Sequence, residues 1–373
     1  MKAILRMAVL SVFVLILAAC AADRLDLEEA TIPLALGIDL DENDQLLMYT
    51  SSPVFIKGPE NKSLETKAAA LTPRQSRAAQ GAETAGLLSG KNYQVILLGG
   101  RLLQHEGWFN LLDVLFRDAK NTTTDRMIYY KGSLDAIMDK KDPDQPILPL
   151  LLRSMVDSKS KRSETVLTTV QELHRQVYEK GVSLAISEIG IQNERIVLKG
   201  TALLDNGGVY VMSLSAQETG ILRILKQDAE GGINFSYRLP GVHKRGPFNT
   251  DILSFSTSSV KTKIKTSFQD DRFKFDIQVS MPASLSEVMF PHEIRKQQKE
   301  LEEKLSRLAE AQFKDLIERF QKRRIDPIGL GIYARAHEYP HFRKIQDRWS
   351  EAFAQAKIDV KVEVKIKAMG PVQ

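Results

Sequence analysis

Two segments in the last third of the chain alternate strictly between apolar and polar residues, and this pattern restricts the possible folds more than any other feature. Lys261, Lys263 and Lys265 alternate with apolar residues or threonine, and after a Gln-Asp-Asp turn the alternation continues through residues 273–279. The same period of two runs without a break through residues 358–366. Because successive side chains of a strand point to opposite faces, each segment predicts a strand with one buried and one solvated face. We therefore predict an antiparallel hairpin, and we expect the last strand to join the same sheet.

A long amphipathic helix is predicted between these segments. Residues 293–323 favour one helix of about 30 residues, or about 45 Å at 1.5 Å per residue. Its apolar residues form a single stripe, which consists of Leu301, Leu305, Leu308, Phe313, Leu316, Ile317 and Phe320. A shorter helix follows, with Ile345, Trp349 and Phe353 spaced four residues apart. From these elements we predict that residues 251–373 form an α+β domain, in which an antiparallel sheet packs against the long helix.

The N-terminal half predicts a sheet with parallel strands. Residues 32–38 and 45–56 favour a hairpin across a polar turn. Residues 93–100 are a continuous apolar run that ends in two glycines, which is typical of a buried strand. Residues 102–118 predict an amphipathic helix, and residues 126–132 predict the next strand. A strand, a helix and a strand in this order indicate a β-α-β unit.

The middle of the chain predicts a second hairpin and a further helix. Asn206-Gly207 lies between the strand-like residues 195–204 and 209–214, and Asn-Gly is the strongest short signal for a hairpin turn. Residues 216–226 then predict a helix, and residues 233–238 predict a strand.

The predicted fold class is α+β, with two to three mixed α/β domains, as expected for 373 residues. A polar loop over residues 158–163 and a helix over residues 166–179 precede an expected boundary near residue 190. We predict three domains. They are an N-terminal α/β domain at 31–190, a middle α+β domain at 191–250, and the C-terminal domain at 251–373.

The N-terminus indicates export and a lipid anchor. Lys2 and Arg6 precede an apolar run at residues 8–17, which is too short to span a bilayer and is typical of a signal peptide. The run ends in Leu-Ala-Ala-Cys, which resembles a bacterial lipobox, and Cys20 is the single cysteine of the chain. We predict that residues 1–19 are removed, that Cys20 is lipidated, and that residues 20–30 form a tether. The alternative is a plain secretory signal with an incidental cysteine.

Composition argues against a nucleic-acid partner. The chain is 43% hydrophobic and 27% charged, as in ordinary globular proteins. Its net charge of +5 includes two positive charges in the predicted signal peptide. The remaining basic residues are interleaved with acidic ones along the sequence, whereas nucleic-acid proteins usually concentrate them in one stripe.

One pentapeptide imitates a zinc peptidase. His337-Glu338-Tyr339-Pro340-His341 matches H-E-x-x-H, in which both histidines must lie on one face of one helix. Pro340 lacks the amide that a helix interior needs, so we predict that a helix begins there and that His337 lies in the preceding loop. The histidines are then surface residues, and we expect no metal, cofactor or catalytic residue. A Gly-Leu-Gly segment after the long helix is too short for a phosphate loop, so we expect it to be a structural break.

Several segments together resemble the Ger(x)C family of spore germination lipoproteins, the C subunits of nutrient germinant receptors. They are the lipobox, a strand that ends in Gly-Ile-Asp, the segment ILLGGRLLQHEGWFNLLDVLFRD, the segments LKGTALLD and SLSAQETG, the DPIGLG loop, and the ending IDVKVEVKIKAMG. The resemblance covers nearly all of the chain after Cys20 and is weakest between residues 140 and 190. Ala21 and Ala22 depart from the family, which usually has an aromatic residue soon after the cysteine.

The resemblance implies a non-enzymatic lipoprotein of three α+β domains on the outer face of the spore inner membrane. It implies assembly with two integral membrane subunits into a receptor for small nutrients, and it leaves open whether this subunit touches the nutrient. Cys20 would be the acylation site, and Asp326, Pro327, Gly329 and Gly331 match a family loop for which we expect an architectural role. Two alternatives are a tethered solute-binding lipoprotein of a transporter and a membrane-anchored peptidase.

Overall fold

The computed structural model describes residues 30–55, 62–84, 86–88, 92–118, 121–142, 144–244, 246–289 and 294–368. Cys20, the predicted signal peptide and nearly all of the predicted tether lie outside these residues. The structure combines two large sheets with helices, and the predicted α+β class is confirmed. Among the described residues, no helix is long and apolar enough to cross a membrane.

An eight-stranded mixed sheet forms the first part of the molecule, in the order β10-β9-β8-β7-β6-β2-β3-β4. Its strands are β2 (Ala35–Leu40), β3 (Leu46–Pro53), β4 (Ser63–Ala69), β6 (Val95–Leu98), β7 (Arg126–Tyr130), β8 (Leu184–Gln192), β9 (Arg195–Leu204) and β10 (Tyr210–Leu214). Strands β2, β6, β7 and β8 run parallel, and the outer strands pair antiparallel. A short parallel pair, β1 (Ala30–Thr31) and β5 (Leu87–Leu88), lies beside it.

Ten helices are described in the resolved ranges above. They are α1 (Pro73–Ala82), α2 (Asp113–Arg117), α3 (Asp135–Met138), α4 (Leu148–Ser160), α5 (Val170–Tyr178), α6 (Ala216–Lys226), α7 (Ile294–Lys322), α8 (Leu330–His337), α9 (Tyr339–Ile345) and α10 (Trp349–Gln355).

The prediction of one continuous helix over residues 102–118 is wrong. The segment forms two 3-10 turns, Leu102–Gln104 and Trp108–Leu112, and only then the short helix α2. Gly107 separates the turns with a φ of 78°, a left-handed conformation that glycine adopts without strain and that ends a helix. The predicted parallel pairing of the strands on either side is confirmed.

Several elements of this part were not predicted, including two of the longer strands and one helix. Strands β4 and β8 and helix α4 lie in segments without clear periodicity, and the end of α4 occupies part of the predicted polar loop at residues 158–163. Strand β8 is buried on both faces over its first seven residues, so it shows no alternation. The sheet continues through β8 to β10 across the expected boundary near residue 190. The division into domains therefore stays a prediction.

The second sheet has five strands arranged around one long central strand. They are β11 (Ile233–Arg238), β12 (Ile252–Thr257), β13 (Lys261–Gln269), β14 (Arg272–Val288) and β15 (Lys357–Ala368). The predicted hairpin is confirmed as β13 and β14, with Thr262 opposite Val279. The last strand joins this sheet as predicted. It runs parallel to β14, because three helices after α7 return the chain to the starting end of β14.

Helix α7 confirms the predicted long helix and covers the apolar face of the second sheet. It also covers the outer edge of β15 with polar side chains spaced four residues apart. Val364 donates its amide to Ser306 Oγ at 2.9 Å, and Ile366 donates to Glu302 Oε1 at 2.8 Å. An open strand edge invites pairing with another chain, and these bonds occupy the edge instead.

Candidate functional site

The HEYPH pentapeptide is divided between two helices. His337 is the last residue of α8, and the amide of Glu338 after it still donates to the carbonyl of Ala334 at 2.8 Å. The prediction that His337 lies in a loop is therefore wrong. Glu338 itself has non-helical backbone angles, and Pro340 stands in the first turn of α9, as predicted within one residue. The ring of His341 stacks on Phe268 with 3.9 Å between centroids. Among the described residues, no three His, Cys, Asp or Glu side chains are grouped to hold a metal ion.

Asp326 is the centre of a buried group of hydrogen bonds. It follows the end of α7 and is 1% exposed. Its Oδ1 accepts the amide of Gly329 at 2.8 Å, and its Oδ2 accepts the amide of Gly331 and the indole N–H of Trp349, each at 2.9 Å. The carboxyl group therefore folds the loop of residues 326–331 around itself and ties it to α10. Pro327, within this loop, is buried as well.

Both glycines of the loop are required by geometry. Gly329 has a φ of 86° at the start of α8, where other residues are strained. A Cβ at Gly331 would lie 2.5 Å from the Cα of Gly181 and 2.8 Å from Cε2 of Trp349. No side chain fits there, because the backbone of the segment before β8 passes directly against the loop.

Ser183 completes the contact between the two sheets. Its amide donates to the carbonyl of Asp326 at 2.8 Å, and its hydroxyl accepts the amide of Asp326 at 2.9 Å. Outside this group, Glu179 pairs with Arg335 through two bonds of 2.9 Å, and Lys180 pairs with Asp347 at 2.6 Å. We call the group of Asp326, Gly329, Gly331, Trp349, Gly181 and Ser183 the Asp326 junction. It joins the segment just before strand β8, in the first sheet, to the helices that precede β15.

Burial raises the pKa of the Asp326 carboxyl group, while the backbone and indole donors act in the opposite direction. All of its described partners are donors of the protein itself. A group whose acceptors are occupied in this way positions backbone. Each carboxyl oxygen of Asp326 accepts at least one hydrogen bond from the protein, which supports the role of a structural hub.

Asp39 forms a second hub at the carboxyl ends of the parallel strands. Its Oδ1 accepts the amides of Leu40 at 2.9 Å and Leu102 at 3.3 Å, and its Oδ2 accepts that of Leu134 at 3.4 Å. A Cβ at Gly99 would lie 1.9 Å from its carboxyl carbon. Burial raises its pKa, and the backbone amides oppose this. The sequence interpretation noted Gly-Ile-Asp and the two glycines but missed this role. The sequence did contain a signal for this role. Asp39 lies near the end of one buried strand, and Gly99 and Gly100 follow the end of its parallel neighbour.

The structure thus brings Asp326, Pro327, Gly329 and Gly331 into one junction, and Cys20 lies outside the described residues. The architectural role expected for the four loop residues stays a prediction, which the contacts of Asp326 support.

Comparison with known proteins gives matches along nearly the whole chain. The family described as "Spore germination protein N-terminal domain" matches residues 23–191, and that described as "Spore germination B3/ GerAC like, C-terminal" matches residues 199–370. Spore germination protein A3 of Bacillus subtilis (strain 168) is 22% identical over 361 residues, 93% of each chain. Spore germination protein B3 of the same strain is 22% identical over 287 residues, which are 75% of this chain and 74% of that protein. A crystal structure of the GerBC protein is 18% identical and covers 89% of this chain and 96% of that one, with a TM-score of 0.58, which shows a shared fold.

Proposed function

This chain belongs to the Ger(x)C family of spore germination proteins, and on that premise we propose that it is the non-enzymatic, membrane-anchored C subunit of a nutrient germinant receptor. The observation that carries the proposal is the pair of family matches, which follow each other along the chain in residues 23–191 and 199–370. The family and its relatives place the chain in spore germination.

The anchor and the location are finer parts of the proposal. We infer that Cys20 carries the lipid and that the protein lies on the outer face of the spore inner membrane. The match to the N-terminal family begins at residue 23, three residues after the lipobox-like cysteine, which supports a tether of that kind. Several acyl chains make membrane attachment lasting, whereas one chain gives only marginal binding.

The assembly with two integral membrane subunits is also proposed. In such a complex this chain acts by contact and carries out no reaction. Two deeply buried aspartates support this, because the carboxyl groups of Asp326 and Asp39 are engaged by backbone amides. The chain would then hold its partners in position or pass on a change of shape.

Deletion of the gene tests the receptor role. In a strain without paralogous receptors, we expect mutant spores to lose their nutrient response and to regain it when the gene is restored. Spores that keep every nutrient response in that background would contradict the proposal.

Labelling with radioactive palmitate tests the anchor separately. Wild-type protein should incorporate label and Cys20→Ala should not, while Ser52→Ala, a change away from the N-terminus, serves as the control for expression. A Cys20→Ala protein that is still labelled would show that Cys20 is not the acylation site.

A further inference from the structure

The second sheet has one open face that carries an unusual density of positive charge. The apolar side chains of β13, β14 and β15 point toward α7, so the alternate side chains lie in solvent. On these three strands, nine basic side chains share the open face with four acidic ones, Asp276, Glu287, Asp359 and Glu363. The basic residues are Lys261, Lys263, Lys265, Arg272, Lys274, Lys357, Lys361, Lys365 and Lys367. We call this surface the lysine face.

Three of the four acidic residues of the face are each paired with a lysine of their own strand. Asp276 lies 3.5 Å from Lys274, Asp359 lies 3.9 Å from Lys357, and Glu363 lies 2.9 Å from Lys365. The other lysines of the face take part in no ion pair among the residues that the structure describes, and these are Lys261, Lys263, Lys265, Lys361 and Lys367.

The strand register places several of these lysines on neighbouring strands beside uncharged residues of β14. Lys263 and Lys361 lie on either side of Gln278, and Lys261 is opposite Ser280. Asp270 and Asp271 occupy the hairpin turn at one end of the face. Lysines two residues apart on one strand are about 7 Å apart, and like charges at this spacing repel each other, so folding stability alone does not favour the pattern.

We propose that the lysine face docks on an anionic phospholipid surface. Each lysine near such a surface contributes about 1 kcal/mol of attraction, and lysine is a strongly hydrated point charge on a flexible stem that suits lipid phosphates. The uncharged polar side chains of β14 that share this face include Gln278, Ser280 and Ser284. A protein interface needs buried aromatic or apolar anchors at its centre, and this face offers none on the three strands.

The proposal rests on the proposed function in one respect, since the lipid at Cys20 would bring the face to the membrane. A lipid anchor combined with a basic surface holds a protein more firmly than either does alone. The face can nevertheless be tested without the anchor, so its failure and that of the receptor role are distinguishable.

The experiment uses residues 20–373 with Cys20→Ser, which carries no lipid and keeps every described residue. We expect this protein to sediment with mixed vesicles of phosphatidylglycerol and phosphatidylcholine. It should dissociate from them at about 1 M salt, because screening shortens the range of charge attraction. It should not bind vesicles of phosphatidylcholine alone. Combined Lys261→Gln, Lys263→Gln and Lys265→Gln should lower the partition coefficient roughly 100-fold.

The matched control removes the same charge elsewhere. Lys131, Lys161 and Lys322 are exposed on other surfaces, and their replacement by Gln should change the partition coefficient by less than about threefold. Circular dichroism confirms folding, and Lys361→Gln with Lys367→Gln on β15 provides a second variant if the first does not fold. Absence of binding to anionic vesicles, or an equal loss in the control, would overturn the proposal. Loss of binding to a membrane subunit with unchanged vesicle binding would assign the face to a protein partner instead.

Discussion

Replacing Asp326 by Ala tests whether the buried carboxyl group organises the junction between the two sheets. The change removes the partners of three buried donors, the amides of Gly329 and Gly331 and the indole N–H of Trp349. A buried donor without a partner costs about 1–3 kcal/mol, so the three losses sum to at least about 3 kcal/mol. Part of this is offset, because the variant no longer buries a carboxyl group whose pKa is raised by burial. We expect the free energy of unfolding to fall by about 3 kcal/mol.

Two measurements check this expectation. Urea denaturation followed by tryptophan fluorescence gives the loss of stability, and hydrogen exchange of the peptide with residues 326–331 gives the local effect. An opening that costs 3 kcal/mol less corresponds to about 100-fold faster exchange of its amides. Asp347→Ala is the control, because Asp347 is exposed and its bond with Lys180 is a surface ion pair worth about 0–1 kcal/mol.

The shape-conserving variant sharpens the test. Asp326→Asn keeps one acceptor oxygen and should lose about half as much stability as the alanine variant. If Asp326→Ala denatures at the wild-type urea concentration and the loop keeps its wild-type protection, the carboxyl group does not organise the junction.

Three further changes are predicted. Gly331→Ala should lower the free energy of unfolding, measured by urea denaturation, by at least about 2 kcal/mol, because the new Cβ would meet backbone atoms. Gly232→Ala is the control and should lower it by less than about 0.5 kcal/mol, because nothing lies within 4 Å of a Cβ there. Equal losses would contradict the close approach at Gly331. Burial raises the pKa of Asp125 to about 6, so its contribution to stability is full below about pH 4 and is lost as the pH rises through 6. The free energy of unfolding of Asp125→Asn, relative to that of wild type, should therefore rise by about 3 kcal/mol between about pH 4 and about pH 8. Denaturation at each pH measures this difference, and parallel pH profiles of the two proteins would refute the expectation. Ser306→Ala should leave the amide of Val364 unpaired, cost about 1 kcal/mol, and increase aggregation in light scattering; an unchanged scattering profile would show that this bond does not protect the edge.

Local patterns predicted many elements of the second sheet and its surroundings within a few residues. The alternation of β13, β14 and β15 and the stripe of α7 come from burial on one side only, which leaves a period in the sequence. The helix start near Pro340 was predicted for a similar reason, since the missing amide acts within one turn. These signals come from neighbours in the chain and need no knowledge of the fold.

Other elements left no such period. Strand β8 is buried on both faces, and the segment at residues 102–118 has helical spacing but is held as separate turns by Gly107 and by the bond from Leu102 to Asp39. Hydrophobic periodicity reports which side of a segment is buried. It does not report which distant groups bind the backbone.

By itself, the sequence determined the signal-like N-terminus, the one-sided strands, the long helix and the letters of the Asp-Pro-Ile-Gly-Leu-Gly loop. Only the tertiary structure decided what that loop does. Gly331 touches Gly181 and Asp326 binds Ser183 across more than a hundred residues of chain, and Asp39 binds Leu134 across a similar distance. A buried carboxyl group must find its donors wherever the fold brings them, so its partners follow from packing in three dimensions and leave no pattern along the chain.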